Sequence, residues 1–141
     1  MKLFIKAISN KPEMIDNIPS VWGEITIENF KETFVIPLEY WNIEDYQKQW
    51  KEGIERIKKN SKSCFVASIQ DPCKAPYLNW WPMYKRGKTI YIQNHMLHGK
   101  YYKKKIGSQV FTPETCYNFI PYRTTKEIDG MKPSEWKVEL P

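Results

Sequence analysis

An amphipathic helix that directly follows an apolar strand is the feature of this sequence that most constrains its fold. Apolar residues recur at steps of three and four along residues 43–57, which places them on one face of an α-helix; they are Ile43, Tyr46, Trp50, Ile54 and Ile57. Asn42 is a favourable N-cap, and two carboxylates follow it at the positive end of the helix dipole. The strand-like run of residues 34–38 precedes the cap. We therefore expect a helix packed on a sheet.

Length and segment composition indicate a single cytoplasmic domain. The 141 residues fit one hydrophobic core, so we expect one domain over residues 1–141. No run of about 18 apolar residues is present, so no membrane span is expected. The first residues lack the long apolar region of a signal peptide. Cys64, Cys73 and Cys116 are odd in number and widely spaced, which indicates free thiols in a reducing compartment.

Charge is distributed unevenly along the chain. Residues 1–50 carry 5 Lys and Arg against 8 Asp and Glu, whereas residues 51–141 carry 17 against 8. A basic second half favours an acidic partner or a nucleic acid there, although an ordinary lysine-coated surface explains it equally well.

Alternating and apolar runs predict several antiparallel strands separated by turns. We expect strands in the following segments: 2–8, 21–27, 31–38, 63–69, 77–84, 89–97 and 135–140. Glu28-Asn29 predicts a hairpin turn. Two stretches, residues 9–20 and residues 98–109, are expected to be loops, the second a basic hairpin tip or mobile loop. The fold class is therefore α+β: a twisted antiparallel sheet of hairpins with one long and one short helix packed on it.

Two prolines predict local features of the backbone. Pro82 lacks a backbone donor, so the strand of residues 77–84 is expected to bulge there or to lie at an edge. Thr112-Pro113 has the pattern of an N-cap followed by proline at the first helical position, so a short helix is expected through Ile120.

The sequence offers little catalytic chemistry. His95 and His98 are the only histidines, and their spacing on a strand places them on opposite faces. No nearby cysteine or carboxylate completes a metal site, and no cofactor-binding motif is present, so neither a metal nor a cofactor is expected. A small nuclease that uses the histidines with a lysine is a weak alternative.

The segment of residues 100–105, KYYKKK, suits single-stranded nucleic acid, because lysines meet phosphates and tyrosines stack on bases. A single-stranded nucleic-acid-binding module is therefore an alternative function. A solvated lysine-rich loop is the simpler interpretation. Arg123, Glu135 and the turn at Asp129-Gly130 are one candidate pocket. The simpler interpretation, which we favour, is a structured turn in which Arg123 pairs with a nearby carboxylate.

Two blocks of sequence resemble one protein family. IPLEYWNIEDYQKQW (residues 36–50) and YRTTKEIDGMKPSEWKVEL (residues 122–140), with YIQN (residues 91–94) between them, resemble the CdiI immunity proteins of bacterial contact-dependent growth inhibition. The similarity is closest to the Enterobacter cloacae-type branch, and it covers roughly residues 24–140. The resemblance implies a protein that binds the C-terminal toxin domain of its cognate CdiA, often a nuclease, and occludes it. It also implies a fold similar to that of the Whirly single-strand-binding proteins.

The chain differs from that branch in its basic segment HGKYYKKKIG (residues 98–107) and in its net charge of +6. Immunity proteins to nucleases are usually acidic, so the toxin recognised here is expected to present an acidic surface. We expect a non-enzymatic inhibitor whose partner is a toxin domain, and not a membrane or a nucleic acid. Its expected contacts are Trp80, Trp81, Tyr84, Lys100, Tyr101, Tyr102, Lys103, Lys104, Lys105, Arg123, Lys126 and Asp129.

Overall fold

Two four-stranded antiparallel sheets and two helices make up the computed structural model, which describes residues 1–127 and 132–141. The N-terminal sheet contains β1 (Leu3–Ala7), β2 (Glu13–Ile15), β3 (Ile18–Ile27) and β4 (Phe30–Pro37). The C-terminal sheet contains β5 (Lys62–Gln70), β6 (Tyr77–Arg86), β7 (Thr89–His98) and β8 (Ser134–Glu139). The helices are α1 (Ile43–Lys59) and α2 (Gly99–Lys105), with a 3₁₀ turn at Cys116–Phe119. This architecture confirms the predicted α+β class, with two sheets in place of one. No helix among the described residues is long and apolar enough to cross a membrane.

Strand β3 organises the N-terminal sheet, because it pairs with β4 along one edge and with both β1 and β2 along the other. The β3–β4 hairpin turns at Glu28, as predicted, with a positive φ of 53°. The prediction of a loop at residues 9–20 was wrong for residues 13–20, which form β2, a turn and the start of β3. Asp16 and Asn17 have φ of 51° and 63°, and two successive positive φ values make the turn that closes β2 onto β3.

The C-terminal sheet has the order β5-β6-β7-β8, so β6 is an interior strand. The prediction that Pro82 marks an edge or a bulge was wrong, because the bulge lies in β5 between Val66 and Ser68; at Trp81 and Pro82 the pairing of β6 with β7 is interrupted without a change of register. Near Pro82, a side-chain hydrogen bond replaces a backbone bond between β6 and β7. Asn94 on β7 donates its amide Nδ2 to the carbonyl of Trp80 at 3.2 Å.

The C-terminal sheet is covered on both faces, which explains why β6 is apolar almost throughout. On one face, Trp81 lies 6.5 Å from Phe30 of the N-terminal sheet and 5.4 Å from Trp136 of β8. On the other face, Trp80 lies 5.7 Å from Phe111 in the connection between β7 and β8. In a strand that is buried on both faces, apolar side chains occupy successive positions and do not alternate with polar ones.

Helix α1 lies along the outer edge of β5 and bonds to its backbone. Asn42 and Asp45 form the capping box at its start, and Asn60 caps its end. The Gln49 amide donates to Cys64 O and accepts from Val66 N–H, both at 2.8 Å, in the manner of a neighbouring strand. The Tyr46 hydroxyl accepts from Ile69 N–H and donates to Pro37 O, which joins β5 to β4. The helix thereby satisfies backbone groups that the edge of β5 would otherwise leave unpaired.

The connection between β7 and β8 differs from both of its predictions. Residues 99–105 form α2 and not a loop, because Tyr102 and Ile106, four residues apart, both pack into the core. The helix predicted after Thr112-Pro113 is only the 3₁₀ turn. Thr112 Oγ1 does accept from Glu114 and Thr115 N–H, as a cap does, but no α-helical turns follow.

Candidate partner-binding surface

Three of the expected contact residues are packing residues of the C-terminal sheet. Trp80 and Trp81 are 0% exposed and Tyr84 is 3% exposed. The Tyr84 hydroxyl donates to Pro121 O at 2.9 Å, which fixes the connection to the face of β6. Because both faces of the sheet are covered, these rings cannot form a contact surface in this conformation, and we leave them out of the interface proposed below.

Helix α2 places the basic segment on the surface with its two tyrosines at different depths. Its lysines Lys100, Lys103, Lys104 and Lys105 are exposed. Tyr101 is half-buried, with Lys100 Nζ 5.2 Å from its ring, whereas Tyr102 is buried. Partial burial, then the charge of Lys62, lowers the pKa of Lys105. The helix therefore presents a cationic face with one partly accessible ring, which suits an acidic partner.

Arg123 is held in place by an ion pair within the chain, as the sequence predicted. Its guanidinium donates to both oxygens of Glu135 on β8, at 2.9 and 2.7 Å, and lies 4.0 Å from the ring of Tyr91. The bond from Arg123 lowers the pKa of the Glu135 carboxyl. Lys126 is exposed, three residues further along. Asp129 lies outside the described residues.

The two histidines point to opposite faces of β7, so the structure does not bring them together. His95 lies 2.8 Å from Gln93 Oε1, and burial followed by the charge of Lys105 lowers its pKa to about 4. The His98 ring lies 4.9 Å from Tyr77 on the other face. Within residues 1–127 and 132–141, no three metal-ligating side chains are grouped together.

Two surface features were not found from the sequence. Tyr122 is 87% exposed, with Lys62 Nζ 4.5 Å from its ring. The second feature is a cleft of about 380 Å³, which we call the inter-sheet cleft. Its lining comes from both sheets and is Ile15, Asp16, Ile18, Ser20, Glu32, Thr33, Phe34, Val35, Pro37, Ser68, Gln70, Tyr77, Asn79 and Met96. No spacing in the sequence could have shown that these residues meet.

Comparisons with known proteins agree with the resemblance seen in the sequence. The model of the family described as CdiI N-terminal domain matches residues 36–141. The immunity protein CdiI of Enterobacter cloacae subsp. cloacae is 32% identical over 124 residues, covering 84% of this chain and 78% of that protein. A chain of the CdiA-CT/CdiI toxin and immunity complex from Enterobacter cloacae superposes with a TM-score of 0.78 at 28% identity. That match covers 98% of this chain and 90% of the other. The chain therefore belongs to the CdiI immunity protein family.

Proposed function

We propose that this protein binds the C-terminal toxin domain of a cognate CdiA and neutralises it. The observation that carries the proposal is the match of 98% of the chain, at a TM-score of 0.78, to a chain of a solved toxin and immunity complex. The identity of 32% to an immunity protein supports the same function. The protein consists of one domain of residues 1–141. It acts in the cytoplasm, where it binds the toxin that has entered the cell.

The proposed mechanism is stoichiometric occlusion without catalysis. A stable inhibitory interface buries about 1,200–2,000 Å² in total, enough to cover an active site or a substrate-binding surface. The two histidines lie on opposite faces of β7, His95 against Gln93 and His98 against Tyr77, so they cannot act together in acid–base chemistry. This separation supports a binding role.

The proposed contact surface includes the cationic face of α2 and the segment that follows Arg123. Its basic members among the described residues are Lys100, Lys103, Lys104, Lys105 and Lys126. Such a surface accelerates association with an acidic region of the toxin, and its effect declines as ionic strength rises. Binding of single-stranded nucleic acid is less favoured by this geometry, because burial removes the ring of Tyr102 from any stacking platform.

Growth protection tests the proposal. The toxin domain of the CdiA encoded with this chain is produced in a sensitive bacterium with and without the chain. Growth should be restored only when both are present. Binding to generic oligonucleotides, with no protection against that toxin, would favour the nucleic-acid-binding alternative.

A further inference from the structure

The inter-sheet cleft is lined by strands of both sheets. Strands β4 and β6 contribute Glu32 and Tyr77, and Met96 comes from β7. Its volume of about 380 Å³ lies at the lower end of the range of roughly 300–1,000 Å³ for ligand pockets. The opening is therefore suited to one or two inserted side chains and not to a large cofactor.

The walls of the cleft are fixed by hydrogen bonds within the chain. Ser68 Oγ donates to Val35 O, which ties β5 to β4 across the floor of the cleft. Asn79 Oδ1 accepts from Asn94 Nδ2 at 2.7 Å, which holds the Asn79 side chain against β7. A cleft with pre-positioned walls loses little conformational entropy when a side chain enters it.

The charged side chains among the described residues that line the cleft are both acidic. Glu32 is half-buried, and its burial raises the pKa of its carboxyl. Tyr77 lines the same cleft as Glu32, and burial and then the charge of Glu32 raise the pKa of its hydroxyl. Asp16 adds a second carboxylate at the exposed rim, and the lining contains no lysine or arginine. Within the described part of the chain, Glu32 forms no ion pair.

We propose that the inter-sheet cleft receives an arginine or lysine side chain of the toxin domain, with Glu32 as its counter-ion. This inference rests on the proposed function and adds a specific recognition site to it. The aliphatic stem would lie against apolar lining residues such as Phe34 and Met96, while the cationic end meets Glu32 and the Tyr77 hydroxyl. A cation with an apolar stem is the side-chain class that satisfies both the apolar walls and the acidic groups.

The cleft and the basic helix α2 lie at the same end of the C-terminal sheet. Tyr77 pairs with His98, and α2 begins at the next residue, Gly99, whose N–H donates to Pro76 O. One partner can therefore contact a cationic surface and an acidic cleft together. Opposite charges side by side specify the orientation of a partner more tightly than a surface of one sign.

Replacing one carboxylate with its neutral isostere tests the cleft. Glu32→Gln should weaken binding of the purified toxin domain by about tenfold to a hundredfold, measured by titration calorimetry, because it leaves the inserted cation without a counter-ion. The matched control is Glu55→Gln on α1, whose exposed carboxylate pairs with Lys58, and it should change the affinity by less than about twofold. Tyr77→Phe, a second variant, should weaken binding by about three- to tenfold.

A measurement of stability separates binding from folding. Glu32→Gln should unfold at the same or a higher temperature than the wild type, because it removes a partly buried charge that pairs with no basic group within residues 1–127 and 132–141. Lower affinity together with unchanged or higher stability is a result that a merely structural role for Glu32 would not produce. If Glu32→Gln binds the toxin within twofold of the wild type, the inference is wrong even though the proposed function stands.

A probe that needs no toxin tests the cleft independently. L-Arginine amide, titrated to about 50 mM, should shift the backbone NMR signals of Glu32, Tyr77 and Asn79 in the wild type but not in Glu32→Gln. Norleucine amide, which has a stem of similar length without the guanidinium, is the control. Equal shifts with both amides, or no shift at these residues, would overturn the inference. This result remains informative if the chain binds no CdiA toxin at all.

Discussion

Replacement of Gln49 by methionine should destabilise the protein more than its position on a helix would suggest. Gln49 is 0% exposed, and its side chain bonds to Cys64 O and Val66 N–H at 2.8 Å, with Tyr117 Oη at 3.2 Å. Methionine has nearly the same length and fills the same space, but it can form neither backbone bond. The variant therefore leaves a carbonyl and an N–H of β5 buried without partners.

The expected cost follows from the two unsatisfied groups. Each buried donor or acceptor without a partner costs about 1–3 kcal/mol, and the apolar side chain recovers part of this. We expect the free energy of unfolding to fall by about 2–4 kcal/mol, out of a total of roughly 5–15 kcal/mol. For a chain of this size, the unfolding temperature should fall by roughly 5–15 °C.

Urea unfolding followed by tryptophan fluorescence measures this change. Gln47→Met is the matched control, because it makes the same substitution two residues earlier on the exposed side of α1. The control should remain within about 0.5 kcal/mol of the wild type. Equal stabilities for the two variants would refute the conclusion that the Gln49 amide supplies the backbone hydrogen bonds that a neighbouring strand would supply to β5.

Two further predictions concern the same core and its pH response. Gly53→Ala should lower the free energy of unfolding by about 1–3 kcal/mol in urea titrations, because an added Cβ would lie 2.5 Å from Cys64 O; a stabilised variant would contradict this. Folding lowers the pKa of His95 to about 4, so the imidazole binds a proton more readily in the unfolded chain than in the folded one. The free energy of unfolding should therefore fall by up to about 3 kcal/mol as the pH falls from about 6.5 to 4. In His95→Gln this loss between pH 7 and 4.5 should be smaller, and an unchanged pH dependence would disprove the assignment to His95.

Much of the fold could be predicted wherever a single local signal decides the structure. The helical periodicity of residues 43–57 and the N-cap at Asn42 predicted α1, and Glu28-Asn29 predicted the hairpin turn. The turn at Asp16 and Asn17 was missed because the prolines on either side of it favoured a loop. Helix α2 was missed because its lysines and flanking glycines favoured a loop. The four-residue spacing of Tyr102 and Ile106 indicates a helix only when both side chains are known to pack into the core.

Features that depend on long-range packing could not be read from the sequence. Gln49 is a polar residue in an amphipathic helix, which predicts an exposed position, yet it is buried because it bonds to the backbone of β5. Trp80 and Trp81 resemble interface anchors, but each is covered by a layer contributed by distant residues. The same reason explains why Glu32 was not identified, since its cleft is lined by residues of six strands. By contrast, the pairing of Arg123 with a carboxylate was predicted and is confirmed.

The most direct test of the account is growth protection against matched and unmatched toxins. This chain and the Enterobacter cloacae immunity protein are each produced with the CdiA toxin domain encoded beside this chain, and with the Enterobacter cloacae toxin domain. At equal protein levels, this chain should restore growth fully against the first toxin, and Glu55→Gln should do so as well. Continued growth arrest with that toxin, despite soluble and folded chain, would contradict the assignment of this protein as an immunity protein.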